Sequence, residues 1–430
     1  MSLAFWIYLV VFVGFLFCGA PIYMALLSSG IAYCFIHGNI SNMAIMAKMY
    51  GSLDSFVLLA IPMFMAAGIV MNVGGITDRI FNFCRAQLGH LPGGLAYVNV
   101  LASFLFSGMS GSALADVGGL GNVEIKAMRD EGYDDDTIFG ITAASATMGP
   151  IVPPSIPMVV YGSAASVSVG TLFMAGIGPG VAIGLILCIA VFVVAKKRGY
   201  RVHKRATLRE VGVCFRKSFF ALMLPVIIMG GIMSGYFTPT EASCVAISYC
   251  IIVVCFIYRD MPVRDLLCVI DQTVSGIVPA LAIVSSASLF GWVLQFEHLG
   301  KKMLSGILSI TDNKWVVLLI IDLILLLFGM ILDSTPTIML LVPIFQPLVQ
   351  QVGISEIHLG VVVVLNLMIG LMTPPYGQSL FMLSGTTGVP FNKVVKYVVP
   401  WLLPMLIALL AVTFIEPITL TIPRLFGYAV

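Results

Sequence analysis

Hydroxyls, freed carbonyls and one carboxylate are the groups best placed to do chemistry in this chain, and they gather where helix-breaking residues interrupt apolar sequence. Ser107, Ser110 and Ser112 flank Gly108 and Gly111 in the run Ser107-Gly-Met-Ser-Gly-Ser112, while Asp333 and Thr335 stand in Gly329-Met-Ile-Leu-Asp-Ser-Thr-Pro-Thr337. Gly149 and Pro150 precede Pro153-Pro154-Ser155, and Gly370 and Thr373 precede Pro374-Pro375. A proline has no N–H, so the carbonyl four residues earlier loses its helical donor. The four prolines therefore free the carbonyls of Gly149, Pro150, Gly370 and Leu371. Such oxygens suit a hard cation such as Na⁺, and the N-terminal ends of half-helices favour an anionic group. Two Na⁺ sites are expected, one built from Ser107, Gly108, Ser110, Ser112, Gly149 and Pro150, the other from Gly329, Asp333, Thr335, Gly370 and Thr373. An organic anion is expected beside them, at Ser110, Pro154, Ser155, Asn366, Pro375 and Gln378.

These breakers occur twice in register. Gly108-Met109 is followed 45 residues on by Pro153-Pro154, and Gly329-Met330 by Pro374-Pro375 at the same interval. A constant displacement of 221 residues relates the copies and also maps Gly149 onto Gly370 and Pro179 onto Pro400. Gly and Pro in membrane helices often serve only close packing and kinks. Four pairs in register weigh against that reading here, because paired interruptions in two halves mark a transporter's binding site. Under the displacement Ser112 falls on Asp333, which predicts one neutral and one anionic site. Intramembrane carboxylates are functional by default. Asp116 is a lesser candidate, and Asp54, Asp322 and Glu241 read as partners of Lys or Arg near an interface.

The elements that must hold these groups lie in a bilayer. The chain is 60% apolar and 10% charged, where soluble domains carry roughly 25% charged residues. Its mean hydropathy is +1.07, and apolar stretches near the ~20-residue spanning length recur along it. Spans are predicted at 4–19, 21–37 and 53–73, followed by an amphipathic piece at 76–90 that lies flat at the interface. The first 18 residues lack a basic leader and read as an uncleaved helix. The legs at 92–107 and 112–128 are each too short to cross, so 92–128 reads as a re-entrant hairpin with its tip at 108–112. A span broken at 149–154 fills 137–167, and a full span follows at 170–195. The second half repeats this order: spans at 217–235, 240–258 and 273–296, a hairpin at 314–350 with its tip at 329–335, a broken span at 356–387 and a last span at 391–415. The predicted fold class is an all-α polytopic membrane protein of two repeats, each with a re-entrant hairpin and a broken transmembrane helix. Scaffold segments are expected at 1–91 and 218–313 and transport segments at 92–195 and 314–430, with a basic loop at 196–217 between the halves.

Five crossings per half make the second half inverted relative to the first. If loop 196–217 is cytoplasmic, 17 of the 22 Lys and Arg fall on that side and 5 on the other, a strong positive-inside bias. Both termini are then periplasmic. The acidic run Asp134-Asp135-Asp136 reads as a solvated loop ahead of the next helix.

Other chemistries lack their residues. There is no G-x-x-x-x-G-K-[ST] for ATP hydrolysis, and no H-E-x-x-H or G-x-S-x-G for proteolysis or ester hydrolysis. The nine cysteines form no C-x-x-C pair, and the five histidines lie in or beside loops, so neither a transition-metal centre, an organic cofactor nor a disulfide is expected. No basic run points to nucleic acid.

Together with Gly149-Pro-Ile-Val-Pro-Pro-Ser155, Leu371-Met-Thr-Pro-Pro-Tyr-Gly377, Phe237-Thr-Pro-Thr-Glu-Ala242 and Asp333-Ser-Thr-Pro-Thr337, the Ser107–Ser112 tip resembles the large membrane subunit, of DctM type, of tripartite ATP-independent periplasmic (TRAP) transporters. The likeness runs over essentially the whole chain. It implies an elevator-type secondary transporter in a bacterial inner membrane, with a scaffold and a mobile transport domain, driven by a Na⁺ gradient. It also implies two partners, a small membrane subunit and a periplasmic substrate-binding protein. The implied substrates are organic acids, either sialic acids or C4-dicarboxylates, and the chain most resembles the sialic acid branch. Two other readings compete: a self-sufficient Na⁺/dicarboxylate-type symporter, and a membrane scaffold with no transport role.

Overall fold

The computed structural model describes residues 2–428 except 39, 201, 203, 301, 303–305, 307–310 and 312. Arg201, His203 and Lys301, which entered the readings above, lie outside the described residues. Every regular element among the described residues is helical, as lipid demands of segments that must satisfy their own backbone. Among them, six helices are long and apolar enough to cross a bilayer: Phe56–Val73, Val169–Arg198, Leu208–Met233, Pro239–Tyr258, Val263–Phe296 and Phe391–Phe414.

The first half opens with α1 (Leu3–Phe17), α2 (Ile22–His37) and α3 (Asn42–Leu53), then a 3₁₀ turn (Phe56–Leu59) that runs into α4 (Ala60–Val73). α1 and α2, of 15 and 16 residues, fall on the stretches expected at 4–19 and 21–37, and α3 is an additional helix where a loop was expected. Asp54 ends α3 as its C-cap and makes no ion pair among the described residues. Glu297, at the end of a long helix described below, gathers this corner by accepting from the Ser2 N–H and hydroxyl and from Tyr33 Oη at 2.9 Å.

α5 (Ile76–Leu88) is amphipathic, but its apolar side does not face lipid as expected. Ile76, Ile80, Phe81 and Phe83 are buried against neighbouring helices. α6 (Gly94–Ser110) descends to a tip at Gly111 and returns as α7 (Ala113–Gly118) and α8 (Leu120–Asp130). α9 (Asp135–Ala146) and α10 (Ile156–Ala165) are separated by irregular backbone at 147–155, and α11 (Val169–Arg198) closes the half. The acidic run leads into α9 with Asp134 as its N-cap, and its side chains stay partly exposed while pairing with arginine. Arg198 binds Asp134 at 2.5 Å and also Asp136, and holds the Asp134 carboxyl below its usual range.

The second half contains α12 (Leu208–Met233), α13 (Pro239–Ile251) with a π-helical extension to Tyr258, and α14 (Leu266–Phe296). Then come α15 (Lys314–Gly329), a tip at 330–333 and α16 (Ser334–Val352). α17 (Glu356–Leu371) and α18 (Gln378–Thr387) flank the second break, and α19 (Phe391–Phe414) and α20 (Pro417–Leu425) complete the chain. Displaced by 221 residues, α6, α9 and α10 fall on 315–331, 356–367 and 377–386, close to Lys314–Gly329, Glu356–Leu371 and Gln378–Thr387.

Two carboxylates read as interfacial partners have other roles. Glu241 accepts the Thr238 N–H and hydroxyl, each at 2.8 Å, in a capping box that starts α13. Asp322 is buried and accepts Asn366 Nδ2 on one oxygen and Thr413 Oγ1 on the other, each at 3.0 Å.

Packing contacts run through two sets of helices, which α5 on α6 and α14 on α16 join to each other. In one, α2 packs on α1 and α14, α4 on α13 and α14, and α12 on α5 and α13. In the other, α9 packs on α19, α15 on α17 and α11 on α20. The halves interlock in this second group: α10 packs on α16 and α18 on α7, and each pairing maps onto the other under the 221-residue displacement.

Candidate functional site

All four irregular segments meet at one cavity of about 250 Å³. Gly111 and Ser112 from the first tip, Pro150 from the first break, Asp333 and Thr335 from the second tip and Leu371 at the second break line it. Ile61 and Met65 of α4 and Gly276 and Ala280 of α14 close the side toward the other helix group.

Within each half the tip lies directly on the break. Gly111 has φ +61°, and a Cβ there would stand 2.7 Å from the Pro154 carbonyl oxygen, so the turn requires glycine twice over. At the second contact a Cβ on Gly370 would come within 2.6–2.8 Å of the Gly329 backbone. The peptide bonds Pro153–Pro154 and Pro374–Pro375 are both cis.

In the first half Ser112 caps α7, accepting the Ala115 N–H at 3.4 Å, and Ser110 Oγ donates to Asp116 Oδ1 at 2.6 Å. Asp116 is 1% exposed; its Oδ2 has no hydrogen-bond partner among the described residues and lies 3.0 Å from where a Gly149 Cβ would stand. In the second half Asp333 caps α16, accepting the Ser334 N–H at 2.7 Å, and Thr337 Oγ1 donates to the Asp333 carbonyl at 2.8 Å. Asp116 corresponds to Thr337 under the displacement. Each tip thus carries one carboxylate and one hydroxyl a helical turn apart, in exchanged order: Ser112 with Asp116, Asp333 with Thr337. Asp116, a lesser candidate in the sequence, lies in the register one turn beyond Ser112.

Two carbonyls expected to be free are occupied. The Pro150 carbonyl accepts Ser155 Oγ, and the Gly370 carbonyl accepts the Thr373 N–H at 3.0 Å. Those of Gly149 and Leu371 accept no hydrogen bond among the described residues. Of the remaining positions, Ser107 donates to the Phe104 carbonyl at 2.6 Å, Gly108 packs on Pro225, and Thr373 Oγ1 donates to the Ile369 carbonyl at 2.6 Å. Pro154 and Ser155 are buried behind the first tip, Asn366 points to Asp322, Pro375 is exposed, and Gln378 begins α18. None of these eight lines the cavity.

Comparison with known proteins agrees with this architecture. Residues 9–418 match the family model described as the tripartite ATP-independent periplasmic transporter, DctM component. The chain is 41% identical over 416 residues to the sialic acid TRAP transporter large permease protein SiaM of Vibrio cholerae, covering 96% of this chain and 97% of that protein. It is 41% identical to the sialic acid TRAP transporter permease protein SiaT of Haemophilus influenzae, over 99% of this chain and 69% of the relative. Identity to the C4-dicarboxylate TRAP transporter large permease protein DctM of Pseudomonas aeruginosa is 39%, over 88% of this chain and 89% of the relative. The fold is shared with the crystal structure of the YdaH transporter of Alcanivorax borkumensis at a TM-score of 0.64 and 14% identity, covering 98% of this chain and 99% of that one. With its four broken segments around one cavity and a family match from end to end, this chain belongs to the DctM-component family of tripartite ATP-independent periplasmic transporters.

Proposed function

We propose that the protein is the large permease of a Na⁺-driven importer of an organic acid anion, sialic acid in the first instance, working by an elevator movement. The observation that carries this reading is the cavity on which both tips and both breaks converge. Asp333 lines the cavity, and Asp116 is buried beside it, with Oδ2 3.0 Å from where a Gly149 Cβ would stand. The two carboxylates, Asp116 buried and Asp333 half-buried, repel an anion, whereas the same carboxylates with a bound cation do not, and the low dielectric enlarges the difference. Occupancy by Na⁺ thereby becomes a condition for holding the substrate. Ser112, Ser155, Asp333 and Gly377 begin half-helices whose N-termini favour the substrate's carboxylate.

The two helix groups supply the moving parts. α6–α11 and α15–α20 travel as the transport body, and the remaining helices stay as the scaffold. The reciprocal pairings of α10 with α16 and of α18 with α7 support an inverted-repeat origin for the body. The scaffold meets a small membrane subunit, and a periplasmic binding protein delivers the substrate. The termini are periplasmic and loop 196–217 is cytoplasmic. Sialic acid is preferred to a C4-dicarboxylate because the two sialic acid transporters are 41% identical and the C4-dicarboxylate one 39%.

The test is uptake into proteoliposomes holding the large and small subunits with their binding protein. Labelled sialic acid should accumulate only under an inward Na⁺ gradient and should stop when a Na⁺ ionophore is added. Uptake of succinate instead would replace the substrate. Uptake without the binding protein, or with no Na⁺, would overturn the mechanism.

A further inference from the structure

One buried histidine has a role that neither the cavity nor the tips account for. His358 stands in the first turn of α17 and is fully buried. Its Nε2 lies 3.2 Å from the Thr413 carbonyl oxygen and its Nδ1 lies 2.8 Å from Thr419 Oγ1. The first contact follows from the sequence. Thr413 sits in the last turn of α19, and the residue four further on is Pro417, which has no N–H to offer its carbonyl. A carbonyl only accepts, so the ring supplies the donor and Nε2 keeps its hydrogen.

The second contact works in either direction. Thr419 Oγ1 also lies 2.8 Å from the Glu416 carbonyl oxygen, which already accepts the N–H groups of Thr419 and Leu420, each at 3.0 Å. When the ring is neutral, the hydroxyl donates to bare Nδ1. When the ring is charged, Nδ1–H donates to the hydroxyl oxygen, and the hydroxyl hydrogen turns to the Glu416 carbonyl. Both states are fully hydrogen-bonded without the movement of a heavy atom.

The charges nearby leave room for one more cation. Glu416 is paired with Lys314 at 3.0 Å. Asp322, on the far side of Thr413, accepts Asn366 Nδ2 on one oxygen and Thr413 Oγ1 on the other, as an ionised carboxylate does, and has no cationic partner among the described residues. A buried charge without a counter-charge is costly. Other elements packed on α17 bring no compensating charge. Glu356 turns to Gln346 and Gln350 of α16, and Tyr161 of α10 donates to the Glu356 carbonyl. α16 and α18 hold no titratable side chain, the cations of α11 and α19 lie at the opposite ends of those helices, and Arg424 of α20 is exposed.

We propose that His358 is a proton-binding site, taking a proton from water onto Nδ1 as the counter-charge of Asp322. One N–H bond forms, none in the protein breaks, and an attraction is added across the junction of α15, α17, α19 and α20. The site stands on geometry within one half and does not depend on the transport cycle or the substrate.

The test uses the full chain co-purified with its small membrane subunit and ¹⁵N-labelled at histidine, the His358 signals being those that vanish in His358→Gln. Nitrogen chemical shifts separate a bare ring nitrogen from one bearing hydrogen. At about pH 8 the hydrogen should sit on Nε2 alone, and at about pH 5 on both nitrogens, with a reversible change between them. A ring whose single hydrogen sits on Nδ1, or one that stays neutral over this range, would overturn the proposal. Asp322→Asn removes the counter-charge and should weaken proton binding on the order of tenfold. Thr419→Val keeps the shape without the reversible partner and should also weaken it, whereas Thr419→Ser should titrate like the parent. An unchanged titration in either Asp322→Asn or Thr419→Val would reduce the ring to packing and overturn the assignment.

Discussion

In the proposed reading Asp333 and Asp116 carry the ionic part of the site, and they differ in how their oxygens are spent. Asp333 uses one oxygen to cap α16, while Asp116 keeps Oδ2 unpartnered against Gly149. A unit charge a few ångströms from a cation contributes on the order of 4 kcal/mol at an effective dielectric of 20. Asp333→Ala and Asp116→Ala are each expected to raise the Na⁺ concentration for half-maximal uptake at least about tenfold. An unchanged Na⁺ dependence would remove the residue from that role. Ser107→Ala should have a much smaller effect, because that hydroxyl already donates to the Phe104 carbonyl. The glycines make a sharper comparison. A methyl at Gly370 meets main-chain atoms of Gly329 at 2.6–2.8 Å, whereas one at Gly329 meets Leu367 and Gly370 at 3.2–3.4 Å. Overpacking of this kind costs roughly 1–3 kcal/mol. Gly370→Ala should therefore lower the thermal midpoint of the purified protein more than Gly329→Ala does, and the reverse order would contradict the close tip–break contact.

At the scale of elements, the hairpin tips and breaks were legible because Gly and Pro act through the backbone, and a backbone rule needs no neighbours. The same holds for the box Thr238-x-x-Glu241, whose spacing announces the start of α13. What stayed hidden depends on partners. The pattern of α5 marks an apolar face without saying whether lipid or protein covers it. The helix α3 went unread because Asn42, Lys48 and Ser52 dilute its apolar residues and leave no clear pattern. Asp322 looked like an interfacial carboxylate, yet it joins α15 to α17 and α19 through Asn366 and Thr413. Removing it strands the Thr413 hydroxyl and leaves Asn366 Nδ2 only the Asp322 carbonyl. Asp322→Ala should thus destabilise the purified protein by about 1–3 kcal/mol, with Asp322→Asn milder, as read from thermal melting. Equal melting of Asp322→Ala and the parent would show that this junction carries no stability.

For the whole molecule, the decisive arrangement is one helix group bearing the cavity and another bounding it through α4 and α14. The N-terminal corner of the second group is unusual in length. At 1.5 Å per residue, α1 and α2 reach only about 23 Å, against a hydrocarbon layer of about 30 Å. Lipid that matches that edge by pinching inward does so at a cost of a fraction of a kcal/mol per ångström of mismatch. Under the proposed elevator movement a locally narrowed membrane shortens the vertical journey of anything carried past it. Turnover in vesicles of short-chain lipid should accordingly exceed turnover in long-chain lipid, which makes membrane thickness a throttle on the rate.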